Sequence, residues 1–492
     1  MTFLAYFFLL LYIISLSCIG IYCLFQFHLF FVYLFRKETK DSPKEKPVNN
    51  VLPHVTIQLP IFNEKYVAAR LIDNITSIDY PKDKLTILVL DDSTDNTLEI
   101  SRTKVEEYRN KGFDITLMHR TDRSGYKAGA LKESMPYVLS EFVAIFDADF
   151  LPEKDFLKKT ILHFIDEKIG VVQTRWEHIN QDHSLLTEMQ AMQLNVHFTV
   201  EQKGRYRGDY LLQFNGTAGV WRVKTIQDAG GWEADTLTED LDLSYRAQLK
   251  GWKIKYLEEV GSPAELPPDI YGLKSQQFRW MKGGAENAKK LLSGIWTSSL
   301  SIPKKIHATS HLLASSIFIA VLCLGLSSVP LIFLKPYIQL PYSFLQFFLV
   351  SFASIIVLYF SANVIFLRKE KNIVWLVFKF IVIFPVFMSL SMAMAFHNSV
   401  AVWQGWIGKK SAFIRTPKYG ITRQSFQTNA LSYFKKSFNG INVGESMLAI
   451  YFVLALIFGI KEGVYDFLIL HGMLALGYLS LMMYAVKARW FR

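Results

Sequence analysis

The sequence predicts an α/β domain with a mostly parallel, doubly wound sheet, combined with an α-helical transmembrane domain. Three observations carry this prediction. Long apolar runs occupy both ends of the 492-residue chain, strand-like and helix-like segments alternate in the polar block between them, and two of those strands end on paired aspartates. At 51% apolar and 20% charged residues, the chain is too apolar and too long for one ordinary soluble domain.

The chain has a net charge of +11, and its lysines and arginines gather beside apolar segments, as at Arg36-Lys37 and Lys435-Lys436. No basic-aromatic module accompanies it, so we expect membrane lipids with anionic headgroups as partners and no nucleic acid. The three cysteines, Cys18, Cys23 and Cys323, all lie inside apolar runs. Neither a disulfide framework nor a cysteine-based zinc site is therefore predicted.

Residues 1–36 are predicted to form an N-terminal transmembrane helix. The apolar run is far longer than the 7–15 residue core of a signal peptide, and about 20 residues already cross the hydrocarbon. Arg36-Lys37 then marks the cytoplasmic end of the helix. A polar, proline-bearing linker at 37–54 leads to a cytoplasmic domain at 55–300.

In that domain the first strand is predicted at 55–59, with Phe62-Asn63-Glu64 at the start of a helix. Further strands are expected at 85–90, 115–118, 142–146 and 171–173, with 124–131 as a loop entering a helix. Two of these strands end on Asp91-Asp92 and Asp147-Ala148-Asp149. Because ligands of doubly wound sheets bind at the carboxyl ends of strands, these aspartates mark the expected site.

The remainder, 301–492, is expected to be a membrane region with spans at 307–334, 343–367, 446–460 and 464–486. The apolar segment 373–408 is predicted instead to be a kinked element in the cytoplasmic interface. The residues that follow it up to Gly444 include many lysines and arginines and no acid, and Lys379 and Pro385 interrupt the segment itself. Five crossings then satisfy the positive-inside rule.

Asp147 and Asp149 at a strand end suit a divalent cation that bridges a diphosphate. Hard oxygen ligands favour Mg²⁺ or Mn²⁺, and such sites need only one or two protein carboxylates. An isolated D-x-D also fits a solvated turn.

Contacts with the base, ribose and phosphate of a bound nucleotide are predicted from three other places in the sequence. Asp91 and Asp92 are placed to hydrogen-bond a base or ribose, and Asn63 or Glu64 can do the same from the first loop. The second aspartate also fits simple helix capping, and both roles are compatible. Lys127, in a glycine-containing loop before a helix, suits a phosphate.

The segment Thr238-Glu239-Asp240 followed by Gln276-x-x-Arg279-Trp280 combines a carboxylate, a guanidinium and an indole. Asp240 can accept a proton from a sugar hydroxyl, with Glu239 as a supporting carboxylate. Arg279 can hold a departing diphosphate and Trp280 can stack under a sugar ring. This set predicts glycosyl transfer with inversion, although a hydroxyl before two acids also fits a helix N-cap.

The segment 214–219 supplies small residues, among them Gly216 and Thr217, where the backbone must approach an acceptor sugar. The tryptophans Trp176, Trp221 and Trp232 fit either the core or a sugar platform, and the core is the better interpretation for any one of them.

In this order the motifs resemble the family 2 glycosyltransferases, specifically the membrane-embedded processive synthases of cellulose, hyaluronan and chitin. The segments 171–178, 214–222 and 228–232 are similar to the cellulose synthase-like A and C proteins, which make mannan and glucan backbones. The resemblance implies a GT-A, Rossmann-like domain that binds a nucleotide sugar. It also implies that the Asp91-Asp92 pair contacts the base, and that Gln276 lines the acceptor site with Trp280.

Residues 413–418 resemble the F-x-V-T-x-K gating loop that covers the nucleotide in cellulose synthases, here within a loop at 409–420. Arg415 replaces the valine of that motif, and Lys418 would contact the donor. No cyclic-dinucleotide domain is recognisable in the sequence, which weakens the match to bacterial cellulose synthase.

The expected function is therefore polymerisation, with possible export, of a β-1,4-glucan or mannan on a glycan acceptor, from UDP-glucose or GDP-mannose. Single transfer to a membrane lipid, as in ceramide glucosyltransferases, is the alternative. An inert transporter or sensor is disfavoured because Asp240 and Arg279 are both present. The expected location is the plasma or inner membrane, or the Golgi in a eukaryote, as a multi-pass protein with a cytoplasmic catalytic domain.

Overall fold

A computed structural model describes residues 1–37, 52–338, 347–367, 372–421 and 440–490. Most of the predicted linker at 37–54 lies outside the described residues. The α/β domain contains a seven-stranded sheet with the order β3-β2-β1-β4-β6-β5-β7. Its strands are β1 (Val55–Ile61), β2 (Leu85–Asp91), β3 (Asp114–His119), β4 (Phe142–Ile145), β5 (Ile169–His178), β6 (Gly219–Arg222) and β7 (Lys253–Ala264).

All strand pairings are parallel except those of β6 with β4 and β5, which are antiparallel. The five predicted strands are confirmed, and so is the α/β fold class. The strands β6 and β7 were not predicted, and β6 makes the sheet mixed. A second difference lies after β1, where residues 62–64 form a turn rather than the start of a helix, because Asn63 adopts the left-handed conformation at φ 52°.

The helices of the α/β domain lie on both faces of the sheet or after it. They are α2 (Ala68–Ile75), α3 (Thr97–Asn110), α4 (Tyr126–Ser134), α5 (Phe156–Ile161), α6 (Leu185–Val196), α7 (Gln202–Gly208), α8 (Val223–Asp228), α9 (Glu239–Leu249) and α10 (Ile270–Thr297). The centres of β1, β2 and β4 are buried, as expected for strands covered on both faces.

The apolar helices are α1 (Thr2–Phe35), α12 (Ile317–Leu334), α13 (Phe347–Phe360), α14 (Ile373–Trp406), α15 (Gly440–Lys461) and α16 (Leu468–Trp490), with α11 (Ile302–Leu312) before them. Among the described residues, five helical segments are long and apolar enough to cross a membrane, and α14 is one of them. The helix that contains α13 is shorter than these five.

The segment predicted as a kinked interfacial element is one continuous helix, α14, which runs through Pro385. Near its first turns Lys379 forms an ion pair with Glu188 of α6 at 2.7 Å. At its other end Gly405 packs so closely on α10 that a Cβ there would lie 2.7 Å from the carbonyl oxygen of Lys282. Both ends of α14 thus contact the α/β domain. Its place at the cytoplasmic face remains a prediction.

Candidate active site

The carboxyl ends of β1, β2 and β4 open into a cleft of about 200 Å³ that α9, α10 and the loop after α14 close. Most of the predicted site residues line this one cleft: Glu64, Asp92, Lys127, Asp147, Asp149, Gly216, Glu239, Asp240, Gln276, Arg279, Trp280 and Lys418. Residues as far apart in the sequence as Glu64 and Lys418 therefore surround one space large enough for part of a nucleotide sugar.

Three predicted residues are not part of the described lining but contact the strand ends next to it. Thr217 is buried and its Oγ1 accepts the backbone N–H of Asp147 at 2.9 Å. Asp91 is buried and its Oδ1 accepts the backbone N–H of Ser93. The backbone N–H of Asn63 donates to Ser93 Oγ at 2.7 Å. These contacts fix the shape of the strand ends, so the three residues support the lining side chains.

The two aspartates of the D-x-D motif each contact a lysine from another element. Lys127 Nζ of α4 lies 2.5 Å from Asp147 Oδ1, and it also donates to the carbonyl of Gly216 at 2.9 Å. Lys418 Nζ lies 2.7 Å from Asp149 Oδ2, and Asp149 is only 3% exposed. The pair of carboxylates therefore faces the cleft with a cation next to each of them.

The packing of α10 on the start of α9 brings the Gln-x-x-Arg-Trp motif close in space to Thr238-Glu239-Asp240. A Cβ at Gly283 of α10 would lie 2.5 Å from Thr238 Oγ1, so only glycine allows this approach. One turn further, Asn287 Nδ2 donates to Thr238 O and Oγ1 at 3.0 and 2.8 Å. Thr238 occupies the N-cap position but its side chain does not cap α9. Helix α10 thus carries one motif and holds the other.

Asp240 faces the backbone turn at Gly216. Gly216 has φ 80°, and a Cβ there would lie 3.0 Å from Asp240 Oδ2, so a side chain at this position would meet the carboxylate. Burial raises the pKa of Asp240, and the adjacent Glu239 raises it further. Burial also raises the pKa of Glu239. A carboxylate with a raised pKa is a stronger base than an ordinary aspartate.

Burial lowers the pKa of Arg279 to about 10, against the opposing effect of Asp147 and other acids. Its Nη2 donates to Thr416 Oγ1 of the loop at 2.9 Å, and its guanidinium lies over the Phe413 ring at 4.5 Å. The guanidinium stays charged at neutral pH and is held between the cleft and the loop.

Glu64 lies beside Arg415 of the loop, with 3.4 Å between Oε1 and Nη1. Burial raises the pKa of Glu64 to about 8, although Arg415 opposes the shift. Asp92 forms a bidentate pair with Arg120, whose Nη2 and Nε lie 2.6 and 2.9 Å from its two oxygens. Both oxygens of Asp92 therefore accept hydrogen bonds from Arg120, which orients the carboxylate at the end of β2.

The structure adds four residues to the site that sequence reasoning missed. Arg120 binds Asp92, Arg123 lies 3.3 Å over the Phe62 ring, His178 lines the cleft at the end of β5, and Glu265 follows β7. His178 Nε2 is buried and has no hydrogen-bond partner among the described residues. Glu265 could have been found from the sequence only by predicting β7, because it would then stand at the end of a strand.

The mixed sheet, the D-x-D motif at the end of β4 and the paired acids at the start of α9 together define a GT-A glycosyltransferase domain. Residues 53–283 match the family model described as "Glycosyltransferase like family 2". This part of the chain is a family 2 glycosyltransferase domain, as the motifs predicted.

Two relatives with a similar sequence are named as mannosyltransferases. Glucomannan 4-beta-mannosyltransferase 1 of Oryza sativa subsp. japonica is 46% identical over 264 residues, which are 52% of this chain and 51% of the relative. Glucomannan 4-beta-mannosyltransferase 9 of Arabidopsis thaliana is 41% identical over 289 residues, 56% of this chain and 54% of the relative. The matches thus cover about half the length of these relatives.

Among solved structures, the mannosyltransferase PcManGT from Pyrobaculum calidifontis, determined with GDP-Man and Mn²⁺, has a similar fold. Its TM-score is 0.54 at 18% identity, over 81% of this chain and 99% of that protein. The likeness supports the assignment of the fold.

Proposed function

We propose that the chain is a membrane-embedded, inverting mannosyltransferase that uses GDP-mannose to extend a β-linked mannan or glucomannan. The observation that carries the proposal is the meeting of Asp240, Arg279 and the Asp147–Asp149 pair in one cleft. The sequence alone left UDP-glucose and GDP-mannose open. The mannosyltransferase relatives at 41–46% identity favour GDP-mannose.

In the proposed reaction a hydroxyl oxygen of the acceptor sugar attacks the anomeric carbon of the donor from the side opposite the diphosphate. Asp240 takes the hydroxyl proton as the new C–O bond forms. The bond between the anomeric carbon and the diphosphate oxygen breaks, and the nucleoside diphosphate leaves with the electron pair. Attack from the opposite side inverts the anomeric centre, and no second acid is required.

The leaving diphosphate gains negative charge, and Arg279 is available to stabilise it. Lys127, Arg415 and Lys418 line the same cleft and can contribute. Trp280 lines the cleft one residue beyond Arg279 and offers an indole face for the acceptor ring. Gly216 leaves room beside Asp240 for the attacking hydroxyl.

The cleft lining fits a divalent cation. Two carboxylates of this lining, Asp147 and Asp149, would repel an anionic diphosphate unless a cation neutralised them. Asp147 and Asp149 would hold Mg²⁺ or Mn²⁺, since such sites need only one or two protein carboxylates beside the substrate phosphates. The ion would neutralise charge on the diphosphate.

Turnover of the detergent-purified full chain with GDP-mannose, UDP-glucose and UDP-N-acetylglucosamine, each with Mn²⁺, tests the proposal. We expect GDP-mannose to be hydrolysed or transferred fastest, and the product to be an alkali-insoluble polymer sensitive to a β-mannanase. A short product that partitions with lipid would favour the single-transfer alternative. Turnover of UDP-sugars without turnover of GDP-mannose would reject the donor assignment.

A further inference from the structure

Glu265, the residue directly after β7, contacts both the D-x-D motif and the loop after α14. Its carboxylate is fully buried and accepts the backbone N–H groups of Tyr419 at 2.8 Å and Ile421 at 3.1 Å. Its own backbone N–H donates to Asp149 Oδ2 at 3.1 Å, and its carbonyl accepts Lys418 Nζ at 3.0 Å. Four hydrogen bonds of one residue therefore connect the cleft to the loop.

These bonds pair two N–H groups of the loop that would otherwise be buried without a hydrogen-bond partner. Tyr419 and Ile421 are 4% and 3% exposed, and the Tyr419 hydroxyl donates to Asp269 Oδ2 at 3.2 Å. A buried carboxylate is costly without partners, and hydrogen bonds to a charged acceptor are among the strong ones. Residues 419 and 421 flank Gly420, whose φ of 71° turns the backbone between the two N–H groups that meet at one carboxylate.

The position of this anchor sets the position of Lys418. The lysine precedes the anchored residue Tyr419 and is shared between Asp149 and the carbonyl of Glu265. Two residues earlier, Thr416 accepts a hydrogen bond from Arg279. A loop released from Glu265 would lose the register that brings both side chains into the cleft.

We propose that Glu265 is a positioning residue that docks residues 416–421 over the cleft and so places Lys418 against the donor diphosphate. A diphosphate in the cleft competes with Asp149 for the Lys418 ammonium, while the Glu265 carboxylate keeps the backbone of the loop in place. The docking itself does not depend on the nature of the donor. Its consequence for turnover rests on the proposed function.

Hydrogen–deuterium exchange of the full chain in detergent measures the two anchored amides directly. In Glu265→Ala we expect the peptide containing residues 419–421 to exchange about tenfold to a hundredfold faster than in the wild type, because two hydrogen bonds to a charged group are lost. Glu265→Gln keeps one good acceptor, so its exchange rate at 419–421 should lie between those of the wild type and Glu265→Ala. The matched control is Glu259→Gln, an exposed acid on the same strand, which should leave exchange unchanged.

Exchange of the peptides that cover β1 to β4 shows whether each variant is folded. If Glu265→Ala is unfolded, Glu265→Gln decides the question. Unchanged protection at 419–421 in a folded variant would overturn the proposal, whatever the chain transfers.

The kinetic arm depends on the proposed function. In folded Glu265→Gln we expect KM for GDP-mannose to rise several-fold with a smaller change in kcat, since the loop acts on the bound donor. A fall in kcat at unchanged KM, with unchanged exchange, would assign Glu265 to another role.

Discussion

Helix α9 presents two aspartates, Asp240 and Asp242, to two different acidic clusters. In the first, Asp240 and Glu239 face the cleft together with Asp147 and Asp149. In the second, Asp242 lies with Glu233 and Asp235, and oxygens of these three groups are within 4.8 Å of one another. Because two residues along a helix are separated by about 200°, the clusters lie on opposite faces of α9.

Distance alone would make the second cluster the better cation site. However, Lys290 Nζ lies 2.6, 2.8 and 3.0 Å from the three carboxylates, and Arg246 lies 2.6 Å from Asp242. The negative charge of the second cluster is therefore balanced by two cations of the same domain, Lys290 and Arg246. The cations that contact Asp147 and Asp149 come from Lys127 and from the loop residue Lys418. The two clusters therefore differ in that the first lines an open cleft and has a partner on the loop after α14, whereas the second is closed by Lys290 and Arg246.

The largest expected difference between the clusters is in catalysis. Asp240→Asn should lower transfer by at least about 10²–10⁴-fold, because an amide of the same shape cannot accept the proton. Affinity for the donor should stay near the wild-type value, measured by titration calorimetry. Asp228→Asn, on an exposed residue, serves as the control. Near-normal turnover by folded Asp240→Asn would remove Asp240 as the base.

The next difference is in cation dependence. Asp149→Ala should raise the Mn²⁺ concentration needed for half-maximal activity at least about tenfold, since even indirect partners of a metal usually contribute 10–100-fold to affinity. Electron paramagnetic resonance of bound Mn²⁺ gives a readout that does not require turnover. Glu153→Ala, in the exposed part of the same loop, should behave as wild type. Full activity in excess EDTA would contradict the metal assignment.

These two predictions rest on residues found from the sequence, and the reason is local. Asp147, Asp149 and Asp240 belong to short motifs at a strand end or helix start, where position in the sequence fixes position in the fold. Strands β2 and β4 were found because their apolar runs are nearly continuous. Strand β6 has only four residues and β7 carries Lys253, Lys255, Glu258 and Glu259, so neither shows a clear strand pattern.

Glu265 and His178 were missed for the same reason, since each follows from a strand pairing that the sequence does not reveal. The register places His178 opposite Ala264, one residue before Glu265. Long-range partners such as Arg120 with Asp92 depend on the tertiary fold, and no local spacing indicates them. The role of the loop came from a resemblance, and its contacts came from the structure.

The pH dependence separates Asp240 from an ordinary aspartate. The base must be deprotonated, and burial followed by the charge of Glu239 raises its pKa. The value of kcat/KM should therefore fall about tenfold per pH unit below a pKa that is well above the usual 3.9 of aspartate. In Glu239→Gln the acidic limb of the kcat/KM profile should move to lower pH. The charge of Glu239 is one of the two causes that raise the pKa of Asp240, and this variant removes it. A limb that stays at the wild-type position would show that the titrating group is not Asp240.

Substitutions in the second cluster should have the smallest effect on catalysis and should instead lower the stability of the fold. Lys290→Met keeps much of the side-chain volume but leaves Asp242, which is 0% exposed, with Arg246 as its remaining ion-pair partner among the described residues. A buried acid that loses one partner costs about 1–3 kcal/mol, so the apparent Tm in detergent should fall by several degrees.

Mn²⁺ activation and the pH profile should remain those of the wild type in Lys290→Met, because no residue of this cluster lines the cleft. Asp235→Asn is the matched control, since its side chain is 54% exposed and Lys290 keeps two acids. An exposed pair contributes at most about 1 kcal/mol, so its Tm should barely change. If Lys290→Met instead bound Mn²⁺ and gained activity, the three acids would form a cation site that the lysine blocks, and the contrast between the two faces of α9 would be wrong.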